Sequence, residues 1–189
     1  MRRTVPASLI AVALVFVAAC SRPTERKSIV APSGSAPTGA QTLTGRVVRI
    51  ADGDTVTVLD AANAQHRIRL QGIDAPESHQ AFGTQSKKNL SEMIFDREVT
   101  VEYEKTDQYG RIVGKILLDD RDINLAQVKA GMAWHYKEYQ REQTPEDREL
   151  YAGAEDEARN ARRGLWADAD PIEPSEFRKE QKCERVGSK

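Results

Sequence analysis

The middle of the chain alternates apolar and polar residues over short runs, the pattern of strands that bury one face. Residues 44–50 and 55–59 form two such runs, with β-branched residues alternating, separated by the turn Asp52-Gly53-Asp54. A third strand is predicted over 66–73. Ile68 and Leu70 fall on one face and Arg67, Arg69 and Gln71 on the other, so Arg69 is expected to face whatever the sheet binds. Gly72 weakens the ladder just before Asp74, as at a bulge or a close backbone approach. In a fourth strand Val99, Val101 and Tyr103 alternate with Glu98, Thr100 and Glu102. Residues 112–118 supply a fifth, before the turn Asp119-Asp120-Arg121.

Elsewhere the apolar period lengthens to that of a helix. Leu90, Met93 and Ile94 stripe a helix over 83–95. Leu125, Val128 and Met132 stripe a second over 124–130, with Gly131 as its stop. The third is strongly punctuated: Thr144 as cap, Pro145 at the first helical position, Asp147 three residues after the cap and Gly164 at the end. Its buried seam is predicted at Leu150, Ala154, Ala158, Ala161 and Leu165. Three strands, a helix, two strands and two helices make an α+β domain, and five short strands with helices fit a closed five-stranded β-barrel of the OB type. That domain is expected over 42–166, with three helices and with Trp166 in its core. Beyond it, 167–189 is a polar tail broken by Pro171 and Pro174, with one short helix near Ser175.

The amino terminus follows another pattern. Arg2 and Arg3 precede an apolar run over 9–17 and the small residues Ala18-Ala19, the signature of a secretory signal too short to span a bilayer. Val17-Ala18-Ala19-Cys20 resembles a bacterial lipobox, which implies cleavage before Cys20 and lipidation of its thiol. A plain signal cut near Ala19 is the alternative. The protein is therefore expected to be exported to the cell envelope and tied to a membrane by a lipid, or else secreted or periplasmic. Residues 21–41, rich in Ser, Pro, Thr, Ala and Gly, read as a flexible tether that holds the domain on the order of 25 Å from its anchor.

Composition, at 39% hydrophobic and 30% charged, suits a soluble globular body rather than a membrane bundle or a disordered chain. Charge changes the picture more. Loss of residues 1–20 removes two arginines from the 28 basic residues and none of the 29 acids, leaving 26 against 29 and a net charge of −3. That excludes a strongly basic nucleic-acid binder, so any polyanion site must be a local cluster of Arg and Lys. With Cys20 lipidated, Cys183 is a lone thiol, either a free tail residue or an intermolecular partner. Neither a disulfide scaffold nor a zinc site is indicated. The three histidines make no ligand pair: His66 and His79 are expected at the surface beside the site, and His135 in a structural position.

Three short segments carry the candidate chemistry: Asp52-Gly53-Asp54-Thr55, Arg69 with Asp74-Ala75-Pro76-Glu77, and Asp107-Gln108-Tyr109-Gly110-Arg111. An EF-hand is excluded, because the sixth-position glycine and the twelfth-position glutamate of that loop are missing. Asp52 has two readings, a water-mediated partner of a metal or a turn residue making an Asx bend. Lys87 and Lys88 belong either to a binding groove or to a solvated helix face.

In order, spacing and position at strand ends, these segments resemble the staphylococcal nuclease (thermonuclease) family over 44–166. The resemblance implies an OB-fold, Ca²⁺-dependent endonuclease that cuts DNA and RNA to 3′-phosphorylated products. Under it, Asp54, Asp74 and the Ala75 carbonyl are the expected Ca²⁺ ligands, hard oxygens of the kind that ion takes. Glu77 is the expected general base or the residue that orients the attacking water. Arg69 and Arg111 are expected to clamp the phosphate with forks that lysine cannot reproduce. Tyr109 is expected to donate its hydroxyl to the phosphate and Tyr139 to stack on a base. Three positions depart from the family pattern: Ala75 and Lys137 stand where threonine and tyrosine are usual, and Gln108 where lysine is common. The expected partner is nucleic acid, bound by a monomer. The competing readings are an OB barrel that binds nucleic acid or protein without cutting, and an envelope protein that uses the barrel as a scaffold.

Overall fold

A computed structural model of the chain describes residue 39 and residues 41–187. The leader over 1–20, with Cys20, and nearly all of the tether over 21–41 lie outside the described residues. Five strands close into a barrel: β1 (Gln41–Ile50), β2 (Thr55–Asp60), β3 (Gln65–Leu70), β4 (Glu98–Thr106) and β5 (Ile112–Leu118). Their order is β3-β2-β1-β4-β5. A parallel pairing of β5 with β3, matching Ile68 to Ile112 and Leu70 to Gly114, joins the two ends. Register shifts between Val47 and Arg49 in β1 and between Tyr103 and Lys105 in β4 bend the two long strands, which lets so few strands close. The fold is the α+β, OB-type barrel expected from the pattern.

Alternation along the strands builds the core. Val47, Val56, Val58, Ile68, Leu70, Val99, Val101 and Ile116 point inward and are buried. Helix α1 (Gly83–Ile94) covers this interior with Leu90 and Ile94, and α2 (Ile123–Lys129) with Ile123 and Val128. Asp122 caps α2 by accepting from the Leu125 amide at 2.9 Å. Helix α3 (Pro145–Asn160) begins as its punctuation predicts, with the Thr144 hydroxyl accepting from the Asp147 amide.

The predicted seam of α3 holds at Ala154, Ala158 and Leu165 and is corrected at Leu150 and Ala161. Leu150 is half exposed and Ala161 is exposed, whereas Tyr151, Ala154, Glu155 and Ala158 are buried. Tyr151 takes the place predicted for Leu150 because it tucks its ring inward and donates its hydroxyl to Asp122 at 2.8 Å, giving the buried phenol a partner. The helix also stops at Asn160, not at Gly164, which instead opens the 3₁₀ turn Gly164–Ala167. Leu165 and Trp166 from that turn join Trp134 and Ala158 in a second small core, where the two indoles meet edge to face at 4.3 Å. The predicted third strand is likewise split. β3 ends at Leu70, and after Gly72 the pair Ile73–Asp74 forms a separate two-stranded ribbon with Trp134–His135. The polar tail carries α4 (Pro174–Gly187), a helix of 14 residues rather than a short one.

Candidate active site

The site is built where three strand ends meet a helix from the tail. The first contribution is the β1–β2 turn. The Asp54 amide donates to Asp52 Oδ1 at 3.1 Å, an Asx bend that fits the turn reading of Asp52. Beneath it, Gln127 of α2 donates to the Gly53 carbonyl at 2.7 Å, and Ser86 of α1 packs so close that a Cβ on Gly53 would collide with its hydroxyl. Asp54 is thereby turned inward, where its Oδ1 accepts from Thr55 and its Oδ2 from the Ala75 amide at 2.8 Å.

The second contribution is the end of β3. Asn124, fully buried, donates to the Gln71 and Gly114 carbonyls and accepts from the Ile116 amide, pinning the β3 exit to β5. The Arg69 side chain, 13% exposed, lies across this exit. Its Nη1 donates to the Ile73 carbonyl at 2.9 Å and stands 3.0 Å from Asp54 Oδ2, while Nη2 donates to Asp74 Oδ1 at 2.9 Å. One guanidinium thus bridges the two carboxylates, which places Asp54 and Asp74 side by side although 20 positions separate them in the chain.

Glu77 follows on a loop held by Gln80, whose Oε1 accepts from the Glu77 amide and whose Nε2 donates to the Ile172 carbonyl. The third contribution is the β4–β5 turn. Asp107 accepts from the Tyr109 and Arg111 amides at 2.9 Å, and the Arg111 Nε donates to its other oxygen at 2.8 Å. Partial burial works against the Asp107 charge, but these hydrogen bonds hold its carboxyl below the usual range. The Arg111 guanidinium lies 5.5 Å from the centre of the Tyr109 ring.

Asp52, Asp54, Arg69, Asp74, Glu77, Asp107, Tyr109 and Arg111 line one open cleft of about 830 Å³, and so does Tyr139. Every side chain expected at the site from the sequence is brought there, with Ala75 alongside. Tyr109 and Tyr139 are exposed on the cleft walls. Among the residues the sequence reading did not assign to the cleft, Tyr136 lines it and packs its ring 4.9 Å from that of Tyr139. Lys137 instead turns to the buried Glu155 at 2.8 Å. Lys88 pairs with Glu92 along α1, a solvated helix face rather than a groove.

The largest omission is Arg178 of α4. Its Nη1 donates to Glu77 Oε1 at 2.8 Å and to Asp74 Oδ1 at 3.3 Å, and its Nη2 donates to Asp74 Oδ2 at 2.9 Å. No local signal marks it, because it lies 101 positions from Glu77 in a segment with the composition of a solvated tail.

Electrostatics follow from this crowding. Burial, reinforced by the neighbouring Asp54 charge, pushes Asp52 up to about 6. Burial also raises Asp74, outweighing its hydrogen bonds to Arg178. Among the described residues no three His, Cys, Asp or Glu side chains gather as a ready metal site. What converges is a pair of carboxylates lining the cleft beside the Ala75 backbone, whose amide donates to Asp54. That donor set fits a hard cation such as Ca²⁺, which accepts carbonyl and water oxygens beside a few carboxylates, and offers nothing to a soft metal.

The sequence over 67–168 matches the family model described as staphylococcal nuclease homologue. The chain belongs to the staphylococcal nuclease family. It is 42% identical over 139 residues to a protein of Haemophilus influenzae named "Uncharacterized endonuclease", covering 74% of this chain and 75% of the relative. It is 41% identical over 148 residues to a "Micrococcal nuclease" of Shigella flexneri, covering 73% and 82%. "Protein ParB" of Escherichia coli is 41% identical over 152 residues, covering 76% and 83%. The matched span holds the Arg69-to-Glu77 segment, the Asp107-to-Arg111 turn and all three cleft tyrosines. It ends before α4, so Arg178 lies outside it.

Proposed function

We propose that the protein is a Ca²⁺-dependent endonuclease that hydrolyses DNA and RNA to 3′-phosphorylated products. The observation that carries this reading is the Arg69 guanidinium bridging Asp54 and Asp74 at the floor of a cleft that also presents Glu77, Arg111 and Tyr109. Asp54, Asp74 and the Ala75 carbonyl are the groups that would hold the cation. When bound, it supplies positive charge to a non-bridging phosphate oxygen. Glu77 accepts a proton from the attacking water, whose oxygen adds to phosphorus. The P–O5′ bond breaks, leaving a 3′-phosphate and a 5′-hydroxyl that takes its proton from solvent. Arg111 stabilises the charge that grows on the phosphate oxygens. Arg69 keeps the two carboxylates aligned and reaches the phosphate from beneath. Tyr109 donates to the phosphate, and Tyr139, backed by Tyr136, stacks on a base.

The same reading extends to location: Cys20 carries a lipid, and the domain works at the cell envelope as a monomer on its tether. The decisive experiment incubates the protein with denatured DNA, with Ca²⁺ or with chelator, beside Glu77→Gln. Calcium-dependent cleavage that the substitution abolishes is the expected result. Binding without cleavage in the unsubstituted protein would identify a non-catalytic module instead. Arg69→Lys keeps the charge and loses the fork, and its kcat/KM is expected to fall by about 10²–10³ in the same assay. A fall below threefold would remove Arg69 from the machinery.

A further inference from the structure

We propose that Arg178 is a further substrate-positioning residue, held on the carboxylates of Asp74 and Glu77 and released towards the substrate phosphate when a divalent ion takes Asp74. The inference rests on the nuclease reading above.

Its first ground is oxygen accounting. Asp74 Oδ1 accepts from both Arg69 and Arg178, and Asp74 Oδ2 accepts from Arg178. An ion that coordinates Asp74 through Oδ2 competes with the Arg178 guanidinium for that atom's negative charge. Charge points the same way. Arg178 pairs with both Asp74 and Glu77, so it and a divalent ion would neutralise the same carboxylates.

The second ground is that the displaced fork has somewhere to go. α4 is held by contacts that do not involve Arg178: Gln80 donates to the Ile172 carbonyl at 2.6 Å, and Pro174 at the start of the helix is buried. A cavity of about 460 Å³ between the loop at Glu77–His79 and the α4 residues Phe177 and Lys182 adjoins the main cleft, and Glu77 and Arg178 line both. The side chain, 42% exposed, can therefore swing without the helix leaving. Once off Asp74 it remains within reach of Glu77, beside which the scissile phosphate has to sit. A guanidinium there matches a phosphate's oxygens as it matches a carboxylate's.

Two binding measurements on the full chain, neither of them an activity, test this. Calcium affinity is measured by titration calorimetry without nucleic acid. Binding of a phosphorothioate oligothymidylate is measured by fluorescence anisotropy at saturating Ca²⁺. Arg178→Ala is expected to bind Ca²⁺ about three- to tenfold tighter, because the competitor is gone, and the oligonucleotide about tenfold weaker, because the fork is gone. Lys182→Ala removes the same charge from the same helix but touches neither carboxylate, and its Ca²⁺ affinity is expected to stay within twofold of the unsubstituted protein. Unchanged or weaker Ca²⁺ binding in Arg178→Ala, an equal gain in Lys182→Ala, or unchanged oligonucleotide binding in Arg178→Ala each overturns the proposal. An unsubstituted protein that binds no Ca²⁺ and cleaves nothing overturns the nuclease reading itself, a separately visible result.

Discussion

At the scale of single residues, the site sets like charges against one another and relieves them with guanidinium groups. Asp52 is the member left with little relief. Its carboxyl sits near 6 in the folded chain against an ordinary value of 3.8, first because of burial and then because of Asp54. Between about pH 4 and 6 the folded state holds a proton that the unfolded state has released. Stability therefore falls as pH rises through that window, and the penalty is complete above it. Asp52→Asn keeps the acceptor for the Asp54 amide and removes the charge. In metal-free buffer it is expected to raise urea-unfolding stability by about 2 kcal/mol near neutral pH and by almost nothing near pH 4. A gain that does not depend on pH would trace the effect to something other than the buried charge. Legibility was high at this scale for residues in the three motifs, which the fold brings to one cleft as the family resemblance implied. It was low for Gln127, Asn124 and Arg178. Nothing in a residue's own neighbourhood says that its amide will hold the Gly53 carbonyl, or that its guanidinium will cross the fold to Asp74.

At the scale of elements, the joint between α2 and the turn after α3 shows how closely the backbone is packed behind the site. Gly131 and Gly164 both have positive φ, 67° and 56°, and a Cβ on either would run into the other segment's backbone. The Leu165 amide donates to the Gly131 carbonyl at 2.8 Å across that contact. Gly131→Ala is therefore expected to cost about 2–4 kcal/mol in chemical unfolding. Gly153→Ala, in the α3 interior with open space around it, is expected to add about 0.5–1 kcal/mol, since alanine loses less backbone entropy in a helix. Equal effects in the two variants would refute the packing argument. The sequence marked Gly131 correctly as a helix stop, but Gly164 as the end of α3. A glycine signals that the backbone needs freedom and does not say which element needs it. The seam of α3 was missed at its first position for a related reason. Leu150 and Tyr151 are adjacent candidates for one inward position, and the choice fell to tyrosine because Asp122, on another element, was placed to accept its hydroxyl.

At the scale of the whole molecule, a slightly acidic chain gathers Arg67, Arg69, Lys105, Arg111 and Arg178 in one cleft, interleaved with the carboxylates that line it. Where that cleft works depends on the leader. If Cys20 carries the lipid, Cys20→Ser is expected to move the protein from the membrane to the soluble fraction of its own host with its fold unchanged. An unaltered distribution on fractionation would show that the anchor does not depend on this thiol.

The sequence by itself determined the barrel, because the alternation of buried and exposed positions is a local property of each strand. It also supplied most of the charged side chains that line the cleft, because residue type alone says which positions carry carboxylates and guanidinia. Tertiary structure alone decided that β3 breaks so that Asp74 can turn towards Asp54, that Tyr136 rather than Lys137 faces the cleft, and that the polar tail returns as a helix to lay Arg178 on the acids. Each of these depends on which groups distant in the chain come within a few ångströms of one another. Hydrogen bonds and ion pairs act only at that range, whereas hydrophobic periodicity is written residue by residue.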